Sequence, residues 1–241
     1  MSKTLDAKAF ALIKHFLAWM PPDANMITWL ELQLGREEGP SWRPRRALAS
    51  WRDMEIESWR ASPEVYEHRR TVYLRQMTDP AAVEELQNLA VPELLGRMRT
   101  AYNRFLDSAA VILEGDSSYQ DTCTRIEQLI EGVHAEGMKG SAIAFMYPCV
   151  DTVDDYYTMH INAKALANAV KVALAVYRLK AETGRLPEAL PDGLPGDPYS
   201  GKDFEYEITG EGFTLRCRAM AAGYSQGPRH FDFKVRQDST N

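Results

Sequence analysis

Glu131 and His134 stand three residues apart, a spacing that puts both side chains on one face of a helix. Di-metal helix bundles use this arrangement, but they need a second such pair and two more helix carboxylates. His15, His68, His160 and His230 all lack an acid three residues before them, so the pair reads as a solvated helix face and no metal ligand is expected. Asp151, Asp154 and Asp155 crowd together ahead of Tyr156-Tyr157. They could hold a cation or do acid/base work, but acids also gather at helix N-termini, where the backbone dipole is positive. Asp197 and Asp203 flank a tight glycine turn. Weak calcium binding is one use for them, and a turn-stabilising role for Asp197 beside Pro198 is the other.

Nucleophile and phosphate motifs are missing. The chain has no GxGxxG, GxxxxGK[ST], GxSxG or HExxH pattern. Its three cysteines, Cys123, Cys149 and Cys217, form no CxxC, which removes zinc-ribbon and thioredoxin-type chemistry. Cys123 and Cys149 could pair if their helices lie side by side in an oxidising compartment. Buried free thiols are the other reading. No catalytic residue and no cofactor is expected.

The densest binding signal lies near the N-terminus. All five tryptophans fall within the first sixty residues, and nine arginines lie between Arg36 and Arg75. Aromatics interleaved with arginine can stack on nucleic acid or sugar. Glu37, Glu38, Asp53, Glu55, Glu57, Glu64 and Glu67 nearly cancel that charge, and the whole chain carries −6. A nucleic-acid partner is therefore not expected. Trp51, Met54 and Trp59 also fit the spacing of a helix core. Trp and Arg anchor protein interfaces when they are not core, so Trp42, Trp51, Trp59, Arg45 and Arg46 are the candidate partner-binding residues.

At 241 residues the chain fits one large domain or two small ones. No run reaches the roughly 18 apolar residues of a membrane helix. Phe10–Met20 is short and interrupted by Lys14 and His15, and it lacks a cleavage site. Residues 1–157 read as a helical region, with helices over Leu5–Trp19, Met26–Leu34, Ala47–Trp59, Val65–Met77 behind an N-cap at Ser62, a segment opened by Asp79-Pro80, Leu94–Leu113 and Tyr119–His134. Residues 158–241 read differently. Apolar residues at three- and four-residue steps predict one helix over Ala163–Ala181, ended by Gly184 and Pro187. After a Gly/Pro-rich stretch, Phe204–Ile208, Phe213–Cys217 and Phe231–Val235 alternate as strands, the first two as a hairpin. The expected class is α+β.

Within this stretch Tyr177, Thr183-Gly184-Arg185, Pro187, Asp197-Pro198, Gly201, Phe204 and Tyr206 form a spaced pattern over Asn162–Leu215. It resembles the end of the long helix and the following sheet in type II secretion pseudopilins. It is still more similar to a pseudopilin-related C-terminal module of uncharacterised bacterial envelope proteins. Pseudopilins begin with an apolar helix continuous with the long one, whereas here residues 1–161 precede it. The calcium loop of the major pseudopilin is matched by GYSQGPRHFDF, which holds a single acid. The resemblance therefore implies neither calcium binding nor pilus polymerisation. It implies a periplasmic or cell-envelope protein, any membrane anchor lying outside this chain, that works without catalysis by binding protein partners. The competing expectation is an enzyme with its active site in the helical region. An enzyme should show a deep pocket of convergent polar groups, and a binding module an exposed apolar patch.

Overall fold

The computed structural model describes residues 12–15, 17, 22, 24–35, 43–218 and 229–235, and every statement of structure below concerns these. The expected helix over Leu5–Trp19 is helical at 12–15 and 17, and the rest of it lies outside the described residues. The protein is mostly helical, with a small antiparallel sheet near its C-terminus, the α+β class that the patterning predicts. It divides into two compact units, Arg43–Tyr157 and a discontinuous one made of Met1–Trp42 with Thr158–Asn241.

Helix α1 spans Ala24–Gly35. The helical unit then holds α2 (Pro44–Ala61), α3 (Pro63–Leu74), α4 (Pro80–Asn88), α5 (Val91–Leu113), α6 (Tyr119–Met138), a 3-10 turn (Ala142–Met146) and the single turn α7 (Tyr147–Val150). Proline sets most of these starts: α2, α3, α4 and α5 each carry one in the first two positions, where no backbone donor is lost. Asp79 caps α4 by accepting from the amides of Ala81 (3.0 Å) and Ala82 (3.4 Å). Ser118 caps α6 through the amide of Asp121 at 3.1 Å. Ser62 takes the expected N-cap position of α3 ahead of Pro63, but its side chain makes no capping hydrogen bond. Ser62 is the entire joint between α2 and α3, serving as C-cap of one and N-cap of the other, and its hydroxyl bonds to neither helix.

Helix α5 is the axis of this unit. It buries Leu94, Leu95, Met98, Ala101, Tyr102, Phe105, Leu106, Ala109, Ala110 and Leu113 at helical steps, against α2, α6 and the 3-10 turn. Trp59 of α2 completes the core. Its ring meets Tyr66 edge-on at 5.4 Å and Phe145 at 5.6 Å, while Tyr73 meets Phe145 at 5.7 Å.

Helix α8 runs over Val153–Thr183, ten residues earlier at its start than the periodicity predicts. The extra turns hold Asp154 and Asp155 in the first turn, so these acids sit at a helix N-terminus. In the second unit, Val170 and Leu174 are buried alongside Ala165, Ala169, Val172, Ala173 and Val176. The apolar surface of α8 is thus wider than one stripe, which suits a helix covered on several sides. Gly184 ends it at φ +78, its amide donating to the Lys180 carbonyl at 2.8 Å. Strands β1 (Glu205–Thr209), β2 (Gly212–Arg216) and β3 (His230–Lys234) follow, ordered β1-β2-β3 and antiparallel throughout. Ile208 pairs with Phe213, Phe213 with Phe233 and Leu215 with Phe231. Phe213, Leu215, Phe231 and Phe233 all point to the buried face. Tyr177 of α8 packs on Phe213 at 5.4 Å and donates its hydroxyl to the Lys234 carbonyl at 2.6 Å, tying helix to sheet.

A Cβ on Gly184 would meet no atom within 4 Å, so the cost of a side chain there is conformational and not steric. Gly184→Ala is expected to lower stability by about 1 kcal/mol through its left-handed backbone. A urea melt with an unchanged midpoint would remove the cap from this account.

Candidate functional site

Four of the five candidate partner-binding residues lie on α2, and the structure separates them. Trp42 lies outside the described residues. Arg45 and Arg46 are exposed near the start of α2, Arg45 paired with Asp107 of α5. Trp51 is 38% exposed and its edge rests on Tyr156 at 6.3 Å; Met54 beside it is 63% exposed. Trp59 is 1% exposed and cannot meet a partner. Helical geometry explains the difference. At about 100° per residue, Trp59 lies about 20° from the buried Leu48, whereas Trp51 lies about 80° from Trp59, at the edge of the core stripe.

The arginines near these tryptophans are mostly engaged inside the unit. Arg52 donates to Asn103 of α5 at 2.5 Å and to Asp53 at 2.8 Å, and Arg99 reaches the same Asp53 at 3.4 Å. Arg69 donates to Glu55 at 2.6 Å and lies over the Trp59 ring at 5.8 Å. The aromatic and arginine interleaving that could read as a nucleic-acid platform is, at Trp59, an internal cation–π contact.

His134 takes a different partner from the one its spacing suggested. Its Nε2 lies 2.7 Å from Asp151 Oδ1, while Glu131 is exposed. Tyr147 donates its hydroxyl to the His134 carbonyl at 2.9 Å, and the two rings are 4.3 Å apart. A carboxylate that orients an imidazole is two-thirds of a hydrolytic triad. The nearby thiol does not complete it. Burial, and then the charge of Glu55, push the Cys149 thiol up to about 12, and its Sγ donates to the Trp51 carbonyl at 3.8 Å. Both side chains of the pair are exposed, so the contact ties the C-terminal part of α6 to the end of α7. Nothing in the spacing of residues 134 and 151 announced it. Among the described residues no group of three His, Cys, Asp or Glu side chains is placed to hold a metal ion.

Asp197 fills the turn-stabilising role. Its buried carboxylate accepts from the Tyr199 amide (3.0 Å), the Ser200 hydroxyl (2.7 Å) and the Arg218 amide (2.9 Å). Its lone pairs are therefore committed to this chain. Cys123, Cys149 and Cys217 are all buried free thiols, so Cys123 and Cys149 do not pair.

Among the described residues, two grooves lie within the helical unit. One of about 590 Å³ is lined by Glu85, Glu93, Arg97, Thr100, Arg104 and Ser141. Arg97 is held in it by Glu85 at 2.6 Å and Glu93 at 3.3 Å, which neutralises its charge. The other, about 420 Å³, lies between α3 and α4 and has Arg70, Thr71, Arg75 and Gln87 in its lining. Sequence reasoning passed over Arg70, one arginine among nine.

The thiols give a pH test. The folded chain holds the Cys149 proton up to about 12, against the usual 9.0, so the unfolded chain releases it first. Its contribution to stability therefore falls as pH rises through that window. The wild type is expected to lose more of its urea midpoint between pH 9 and 11 than Cys149→Ala does. Equal losses would show that Cys149 titrates normally.

No family model, no curated protein and no solved structure matches this chain.

Proposed function

We propose that this chain is a non-enzymatic protein of the bacterial cell envelope, secretion-associated and on the periplasmic side, that acts by binding a protein partner. The observation that carries the binding part is the exposed pair Trp51 and Met54 on α2, with Arg45 and Arg46 on the same helix. An exposed Trp with an exposed Met beside it on one helix, and arginines on the same helix, have the composition of an interface, where Trp and Arg contribute most. The envelope part rests on the pseudopilin-like residues of Asn162–Leu215. The enzyme reading has one observation in its favour, the His134–Asp151 pair, which stands on an open surface and not in an enclosed pocket.

The reading is tested by placing a photo-crosslinking residue at position 54 in cells that make the protein, with the same residue at Val111, 70% exposed on α5, as the control position. A discrete adduct from position 54 alone, weakened by Trp51→Ala, is expected. Truncation of a central Trp costs about 2 kcal/mol or more of binding. Equal adducts from both positions, or none from position 54, would refute the surface. Recovery of the protein wholly in the cytosolic fraction would refute the compartment.

A further inference from the structure

Arg70 is the one buried arginine among the described residues. It is 93% buried, being 7% exposed, and among the described residues no carboxylate lies within ion-pair distance of it. Its guanidinium reaches from α3 to the C-terminal end of α4. There Nη2 donates to the Leu86 carbonyl and, at 2.9 Å, to the Leu89 carbonyl, while Nη1 lies 3.3 Å from the Tyr66 hydroxyl oxygen. Tyr66 also offers its ring face at 5.6 Å. These contacts use dipoles only. Nε is buried and meets no protein acceptor. A buried cation is ordinarily matched by an anion, because carbonyl dipoles replace only part of its lost hydration.

Arg70 also lines the groove of about 420 Å³ between α3 and α4. That volume lies within the range of small-molecule sites. Arg75 adds a second cation to the lining, Thr71 a hydroxyl and Gln87 an amide, while Leu74 and Val83 supply apolar wall. Glu67 is the one acid of the lining, so the groove carries a net positive charge.

We propose that this groove binds a small molecule through an oxyanion, a carboxylate or a phosphate group, which supplies the counter-charge that Arg70 lacks. Arginine suits the task because its planar fork matches both groups. The apolar wall accommodates a short carbon skeleton behind the anionic head. The site is independent of the α2 surface and stands or falls without it.

The test is calorimetric titration of the full chain with inorganic phosphate, glycerol phosphate and succinate in separate arms, followed by the arginine Nε–Hε resonances in NMR spectra. Saturable binding in the phosphate arms or in the succinate arm is expected, with one side-chain Nε signal shifting and assigned to Arg70 by its loss in Arg70→Lys. Arg75→Ala, an exposed substitution that leaves Arg70 in place, should weaken binding about tenfold, the worth of one charged hydrogen bond. Val83→Phe, which fills the groove, should abolish binding with the fold intact by circular dichroism. No saturable binding of any probe, or binding that both variants leave unchanged, would overturn the proposal and leave Arg70 as a cap on α4.

Discussion

Burying the indole of Trp59 imposes a sequence of obligations that shapes the helical unit. A buried indole N–H needs an acceptor, and Glu55 one turn earlier provides it at 2.8 Å. A part-buried carboxylate then needs a cation, and Arg69 of α3 answers at 2.6 Å while covering the same ring. One tryptophan thus fixes how α3 turns back on α2. The one-residue joint at Ser62 leaves the two helices little other freedom. Tyr66 and Phe145 meet the ring edge-to-face and Tyr73 stacks on it, from α3 and the 3-10 turn, geometries that favour this over a looser pile of side chains. The polar atoms involved are spent inside the unit. That is why a tryptophan and an arginine that look like an interface in sequence are not one in space.

The sheet-bearing unit relies on hydrogen bonding of a different kind. A three-stranded sheet of five-residue strands has little stability of its own. It is held by Tyr177, whose ring lies on Phe213 and whose hydroxyl reaches the last residue of β3. The loop from α8 to β1 is held by Asp197, which gathers donors from both ends of its turn and from Arg218 beyond β2. Tyr199 and Asn168 add ties back to α8, through Asn162 and the Gly196 carbonyl. Gly184 and Gly201, both at positive φ, let the chain change direction on either side of these anchors.

Much of this was legible in the residues, and the failures have definite causes. Period-3.6 and period-2 patterns located α5, α6, α8 and all three strands, because each buries a regular face. Helix α2 began three residues before its expected start because Pro44 at a first-turn position was not weighed as a start signal. Helix α8 began ten residues early because Val153, Tyr157 and Ile161 continue its buried face at steps of four, a sparse stripe set among acids and polar residues. The candidate surface was half legible. Composition marked α2, but only rotation about its axis separates Trp51 from Trp59, and that depends on where the stripe is centred. The His134–Asp151 contact and the burial of Arg70 were not legible. Both join residues of different helices, and no spacing along the chain encodes such a meeting.

Arginine in this chain shows how little a residue count says about a surface. Arg52, Arg60, Arg69 and Arg97 each meet an acid, and the exposed pairs of Arg60 and Arg97 contribute little to stability or to net field. Where arginines are matched in this way, the surface presents water with a nearly neutral face. Chemistry is then concentrated where the matching fails. It fails at Arg70, where a cation is drawn inside to satisfy the end of a helix and meets dipoles in place of a charge. It fails in a different sense at Trp51 and Met54, where apolar area stays outside because the core stripe is too narrow to include it. Both features arise from the packing of α2 and α3 around Trp59 and of α4 against α3. The parts of this unit that remain free to act on other molecules are therefore set by what its core could not use.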